Sequence, residues 1–441
     1  MKKGRRRVRK GRLVVLSLVI LAIIGAGVFC YVKPIVEEYY RVGFVSDKED
    51  SSKVMYRNEN HEYVYGLQMI DGKQYYFDEN TGYMFKGMKE INGSKYMFND
   101  DGVMVVNQFE HIKDNESEHI LYFDHEGKMV KGLQTIQDKQ YFFNEDGSLV
   151  TNQYKRLKMN DTEQISYFDE EGKMVTGRKN IDGHDRFFDE QGKLSIDIEY
   201  LQTGIQDILN SYRGDISIYF KDLTSNESFV MNDHTYYPCC MIKVPSLITI
   251  YNCIRDGIIT KTPQIEHWID LMIRISDNTA FNNLMCAIGG GNGVKGVNMV
   301  TQTAHEIGMH DTDAKHGLKP GENYFSAGGA NKSCAKDLGL AFEKIYNHEV
   351  ATPELCDEMI EILKTCDDYE ELQNGLPSDV AFAHKTGCAY ALYHDGGIVY
   401  LDGREYILVC FSDNARYTVM MPEVSKFVYE YQANFMPSEI F

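Results

Sequence analysis

Apolar positions along this chain follow three different patterns. From Leu13 to Val32 they run without a single charge. About 20 such residues are enough to cross a bilayer as a helix. Lys2, Lys3, Arg5, Arg6, Arg7, Arg9, Lys10 and Arg12 precede the run. That flank predicts a cytoplasmic segment over 1–12, a single transmembrane signal anchor over 13–32, and everything after it outside the cell. A cleaved signal peptide is the alternative, since Ala22 to Ala26 includes small residues.

From 66 to 194 the apolar positions instead form short aromatic runs, each followed by a glycine turn and a second short apolar run. The clearest copies are Tyr122-Phe123-Asp124-His125-Glu126-Gly127-Lys128-Met129-Val130 and Tyr167-Phe168-Asp169-Glu170-Glu171-Gly172-Lys173-Met174-Val175. Tyr76-Phe77, Met97-Phe98, Phe142-Phe143 and Phe187-Phe188 are related versions. The turn glycines Gly82, Gly102, Gly127, Gly147, Gly172 and Gly192 lie 20, 20, 25, 20 and 25 positions apart. A period of this length predicts a solenoid of β-hairpins whose units bury their faces only by stacking.

After Leu194 the pattern changes again. Glu199 to Tyr212 reads as an amphipathic helix, and Asp215–Phe220 and Phe229–Met231 read as strands. Helical periodicity dominates to about residue 370. Strands return at Val380–Ala383, Ile398–Leu401 and Tyr406–Phe411, and Pro422–Asn434 reads as a closing helix. Strands at both ends with a helical middle predict an α/β domain over 195–441 whose sheet joins the two ends. Residues 33–65, with the charged run Ser46 to Lys53, read as a linker.

Charge and cysteine content narrow the function. The net charge of −19 is unevenly spread, because residues 1–33 are basic and carry no acid. The remainder is more acidic than the total indicates, which excludes a nucleic-acid partner. One cysteine falls in the expected anchor and nine between Cys239 and Cys410, with no C-x-x-C pair and no zinc-like histidine spacing. Neither a metal nor another cofactor is expected.

Three short motifs carry the chemistry: Cys240-Met241-Ile242-Lys243, Ser276-Asp277-Asn278 and Lys385-Thr386-Gly387. In order and separation they resemble the S-x-x-K, S-D-N and K-T-G set of class A β-lactamases and penicillin-binding proteins, with cysteine in the serine's place. The resemblance implies a β-lactamase/transpeptidase-like domain. Cys240 is then the nucleophile, Lys243 its proton acceptor and Ser276 a proton relay. Asn278, Lys385, Thr386 and Gly387 bind substrate, and the N–H groups of Cys240 and Cys388 form the oxyanion hole. The Lys315–Tyr324 stretch offers Glu322 where class A enzymes carry a water-activating glutamate. Its spacing to Asn331-Lys332-Ser333 departs from the family pattern, so it is read as a surface-loop acid. An acyl-enzyme would then persist.

The repeats resemble the cell-wall-binding repeats of Gram-positive surface proteins, including choline- and glucan-binding modules. The single tryptophan, Trp268, lies outside them. Tyr76, Phe77, Tyr122, Phe123, Tyr167 and Phe168 are the candidate wall-binding residues; the alternative is that these rings only hold the array together. The combined expectation is a multidomain, membrane-anchored extracellular acyl hydrolase or acyltransferase. It would act on β-lactams or D-alanyl peptides and be held at a cell-wall polymer by its repeats. The alternatives are a pseudoenzyme that acts as a peptide receptor or scaffold, and a protein whose repeats carry the function.

Overall fold

The computed structural model describes residues 22–38, 40–113, 118–159, 162–367 and 371–436. The chain divides into two compact units, residues 1–153 with 167–175, and residues 154–166 with 176–441.

The expected membrane anchor is corrected by the structure. Among the described residues no helix is long and apolar enough to cross a membrane. The helix at 22–38 carries Lys33, Glu37 and Glu38 in its second half, with Lys33 and Glu37 paired at 3.7 Å. Residues 13–21 of the expected span lie outside the described residues.

A second correction concerns the expected linker. Strands Gly43–Ser46 and Val54–Arg57 pair antiparallel, Phe44 facing Tyr56. Phe44 packs on Tyr75 with ring centroids 5.2 Å apart, so this hairpin belongs to the array. The charged run that suggested a linker is its turn, where Asp47 accepts the N–H groups of Glu49 and Asp50.

The following hairpins repeat one plan: Gly66–Ile70 with Lys73–Phe77, Gly87–Ile91 with Ser94–Phe98, Gln108–Lys113 with Glu118–Phe123, and Gly132–Ile136 with Lys139–Phe143. Each second strand ends on a phenylalanine, and Phe77, Phe98, Phe123 and Phe143 are 0 or 1 % exposed. A turn that starts on Asp or Asn and ends on glycine closes each unit. Asp124 Oδ1 accepts the N–H groups of Glu126 and Lys128 at 2.8 and 2.9 Å. Gly127 sits at φ +78°, and a Cβ there would stand 2.4 Å from the sulfur of Met104 in the preceding unit. Only glycine meets both demands. Stacking is also written in the backbone, since Met129 N–H bonds to Lys95 O of the preceding hairpin at 2.8 Å.

In the second unit, a five-stranded antiparallel sheet is built from β1 (Asp215–Asp222), β2 (Ser228–Met231), β3 (Phe382–Ala389), β4 (Leu392–Val399) and β5 (Tyr406–Asp413). Its order is β2-β1-β5-β4-β3, so the first strand lies beside the last, Ile218 facing Cys410. Among the described residues eight helices accompany it: α1 (Ile198–Leu209), α2 (Lys243–Arg255), α3 (Pro263–Arg274), α4 (Asn278–Ile288), α5 (Gly293–Glu306), α6 (Ala335–Tyr346), α7 (Pro353–Leu363) and α8 (Tyr417–Ala433). α6 packs on β1 and β5, closely enough that a Cβ on Gly339 would lie 2.1 Å from Tyr219. α1 packs on α8 through Gly204, where a Cβ would meet the Phe427 ring at 2.2 Å. α2 is buried on nearly every side, including Val244, Leu247, Ile248 and Ile250 at 0 % exposure. A helix apolar all round belongs in a core, and this one carries the candidate lysine at its first residue.

Candidate active site

The chain enters α2 through a tight 3-10 turn, Cys239–Ile242, so Cys240 stands at the N-terminal end of a buried helix. Cys239 takes a left-handed φ of +50° and is itself buried. Cys240 is partly open to solvent. One helical turn on, Lys243 lies on the same face with 0 % exposure.

Asp277 positions the second motif. Its carboxylate caps α4 by accepting Ala280 N–H at 2.6 Å, which starts the helix at Asn278. Ser276, just before the cap, is held at φ +57°, an unfavourable conformation for serine that the surrounding contacts impose. Lys243 Nζ reaches this motif and the thiol together. It lies 3.2 Å from Cys240 Sγ, 2.6 Å from Ser276 O, 3.1 Å from Ser276 Oγ and 2.9 Å from Asn278 Oδ1. Cys240 Sγ is 3.7 Å from the same Asn278 oxygen.

Lys243 meets the two oxygens that can only accept, Ser276 O and Asn278 Oδ1, and its remaining hydrogen-bonding position faces Cys240 Sγ and Ser276 Oγ. Burial lowers the Lys243 pKa to about 8, and the Lys385 charge also lowers it, while Cys240 works in the opposite direction. Burial alone would raise the Cys240 thiol. The positive charges of Lys243 and Lys385, with hydrogen bonds from Ser276 and Lys243, outweigh that and leave it below the ordinary thiol range. Both groups are shifted downward and titrate as a coupled pair, with sulfur and nitrogen close enough to share a proton.

The third motif forms the middle of β3, at the edge of the sheet. The sequence had suggested strands over 380–383 and 398–401. The actual strands run on through Lys385-Thr386-Gly387 and back through His394-Asp395-Gly396-Gly397. Gly387 lies against the Cys239–Ile242 turn, since a Cβ there would stand 2.9 Å from Cys240 N and 3.0 Å from Met241 N. Lys385 is fully buried and donates to Thr386 O and Oγ1 at 3.1 and 3.4 Å, with Cys366 Sγ 3.9 Å away. Cys388 is exposed at the same strand, and no disulfide joins it to Cys240.

Several supporting residues escaped the sequence reading. His394 is buried beneath the Cys239–Ile242 turn. Its Nδ1 accepts Ser412 N–H at 3.2 Å, so Nε2 carries the hydrogen and donates to Tyr237 O at 3.0 Å. Burial pulls its pKa down to about 4, which keeps the ring neutral. Asn282 pins the loop over the site by bonding to Leu318 N, Leu318 O and Glu322 O. That loop approaches the second motif so closely that a Cβ on Gly321 would lie 3.0 Å from Asn278 Cβ. Glu322 itself is exposed, and its N–H bonds to Thr279 Oγ1. Elsewhere, Asp311, Cys334 and Asp337 bring possible metal ligands within 4.8 Å. Two of the three are engaged locally: Asp337 accepts Thr312 O–H and Asp311 N–H, and Cys334 caps α6.

The expected wall-binding residues separate by burial. Phe77, Phe123 and Phe168 are 0 % exposed, and Tyr76 and Tyr167 are buried as well. The three phenylalanines are corrected to core residues, because a ring sealed inside the array cannot face a polymer. Tyr122 is half-buried.

Comparison with known proteins agrees with this geometry. Residues 200–266 and 253–432 match the Beta-lactamase enzyme family, and together they cover more than half of the chain, which belongs to that family. Residues 64–109 and 130–175 match the choline-binding repeat. A solved structure of PBP-A is 23% identical over 53% of this chain and 96% of its own, with a TM-score of 0.46. Choline binding protein F from Streptococcus pneumoniae is 22% identical over 36% of this chain and 54% of its own, with a TM-score of 0.30. Toxin B of Clostridioides difficile is 40% identical over 57 residues, 13% of this chain. The chain spans only 2% of that toxin's length. The protein thus joins a β-lactamase-like domain to choline-binding-type repeats.

Proposed function

We propose that the C-terminal domain is a cysteine acyltransferase that opens β-lactams or D-alanyl peptides, and that the repeats hold it at a cell-wall polymer outside the cell. The observation that carries this reading is Lys243 Nζ, buried and 3.2 Å from Cys240 Sγ, with Ser276 Oγ at 3.1 Å on its other side.

In the first step Sγ attacks the amide carbonyl and its proton passes to Lys243. The carbonyl oxygen takes up the negative charge against the backbone N–H groups of Cys240 and Cys388. As the C–N bond breaks, Ser276 O–H protonates the departing nitrogen and is re-protonated from Lys243. Asn278 has its oxygen engaged by Lys243, which leaves Nδ2 for a substrate carbonyl. Lys385 supplies positive charge for a substrate carboxylate. The product is a thioester on Cys240.

Release is the slow half. Among the described residues no carboxylate is hydrogen-bonded to Cys240 or Lys243, and Glu322 is exposed on its loop. Without a carboxylate to activate water, the thioester is expected to persist or to pass to an amine. Labelling with a fluorescent penicillin tests the reading. Covalent label on the native protein that disappears in Cys240→Ala supports it. No label on the native protein, but label on Cys240→Ser, replaces it with a binding-only pseudoenzyme.

A further inference from the structure

Within the second unit, a cavity of about 610 Å³ lies away from the catalytic thiol. The hairpin of strands Gly177–Ile181 and His184–Phe188 forms one wall, and α1, the end of α8 and Phe435 form the other. This volume falls within the usual range of small-ligand pockets.

Its formal charges balance, Arg178, Lys179 and Arg186 against Asp185, Asp197 and Glu430, but they are not paired one to one. Arg178 is fully matched: it meets Asp197 through two bonds, at 2.5 and 3.0 Å, and Glu199 at 2.9 Å. Arg186 is different. It is 9 % exposed, its Nε has no hydrogen-bond partner, and among the described residues it forms no ion pair. Its Nη1 donates to Asn434 O at the C-terminal end of α8, which offers only a partial negative charge. Lys179 stands directly opposite Arg186 in the hairpin register and also forms no ion pair among the described residues. Two like charges facing each other across a strand pair are destabilising, and a buried guanidinium without a counter-ion is costly. Asp185, Glu430 and Lys179 are all exposed, where solvent screens them alike, so the buried Arg186 is the unmatched charge of the lining.

The opposite wall is aromatic. Tyr200 stacks on Tyr431 with centroids 5.7 Å apart and meets Phe427 at 5.8 Å. Such faces attract cations as well as apolar rings, yet Arg186 and Lys179 repel a cation. What satisfies both walls is an anion carried on a ring with an apolar face.

We propose that this cavity binds a saccharide bearing a carboxylate or phosphate, Arg186 and Lys179 holding the anion and Tyr200 and Tyr431 the sugar ring. This deepens the wall-binding reading by assigning a charge to the polymer. Guanidinium groups suit both anions because their fork of N–H donors can bind either bidentately.

Calorimetric titration of the full chain with tri-galacturonate, glucose 6-phosphate, maltotriose and choline chloride tests the proposal. Saturable binding of either anionic probe, at least tenfold tighter than maltotriose and weakened by salt, is expected; the two anionic arms distinguish carboxylate from phosphate. Arg186→Gln should weaken it at least tenfold, and Lys179→Gln and Tyr200→Ala several-fold. The last two positions are exposed and leave the fold intact if Arg186→Gln does not. Binding of maltotriose equal to the anions, preference for choline, no anionic binding at millimolar concentration, or unchanged affinity in Lys179→Gln and Tyr200→Ala would each overturn it. Penicillin labelling should be the same in all three variants, which separates failure here from failure of the acylation reading.

Discussion

The repeat array and the catalytic unit bury opposite kinds of side chain. In the array, fully buried positions such as Phe77, Phe98 and Phe123 are aromatic, and polar groups such as Asp124 serve the turns. In the catalytic unit, Lys243, Asn282, Lys385, His394 and Asp395 are also taken almost completely out of water. An apolar core is stable wherever it is excluded from solvent. A buried polar set is tolerable only when every member meets the right neighbour. The array is thus robust to detail and repeats easily, whereas the site depends on single contacts.

Substitutions can break that contrast. The largest effect is expected for Lys243→Met, which removes the amine 3.2 Å from Cys240 Sγ, the proton acceptor of the proposed reaction. Penicillin labelling should slow by about 10²–10⁴-fold, and alkylation of Cys240 by iodoacetamide at neutral pH should slow with it, read against Cys240→Ala. Next, Phe123→Ala should cost about 3–5 kcal/mol within the array. Hydrogen exchange should quicken across residues 108–143 while penicillin labelling stays unchanged.

A smaller effect concerns pH. His394 is held neutral, with its pKa pushed down to about 4 from an ordinary 6.5. The unfolded chain therefore binds the extra proton first as acid is added. The stability this neutral ring contributes is complete above pH 6.5 and is lost as the pH falls towards 4, about 3 kcal/mol in all. Urea unfolding followed by Trp268, the single tryptophan, should show that slope, and His394→Gln should flatten it. The smallest change is expected for Asp124→Ala, which removes two turn hydrogen bonds. It should cost roughly 1 kcal/mol, read as faster exchange at Gly127 and Lys128.

The same contrast explains what could be read from sequence. Hairpin periodicity and the three motifs are local signals, and both were visible. The Gly43–Arg57 hairpin was hidden because its turn is unusually charged. β3 and β4 were cut short because their central residues, Lys385-Thr386-Gly387 and His394-Asp395-Gly396-Gly397, lack the apolar alternation of a strand. Burial by neighbours on both sides makes them strands, and no local pattern reports that. His394, Asn282 and Cys366 act on residues far away in sequence, so nothing near them marks their roles. The anchor expectation rested on the apolar run and its basic flank, and not on Lys33, Glu37 and Glu38, which continue the same helix.

The pairing of β1 with β5 has a consequence for how the molecule is made. Each hairpin of the array closes on residues a few positions away and can form as soon as it emerges during synthesis. The sheet of the catalytic unit cannot close until Tyr406–Asp413 has been produced. Until then α2 has no finished sheet to pack on, and Cys240 lacks Gly387 and Lys385 beside it. A truncated chain therefore carries folded repeats and an unassembled site, so the Cys240–Lys243 arrangement is completed only at the end of translation.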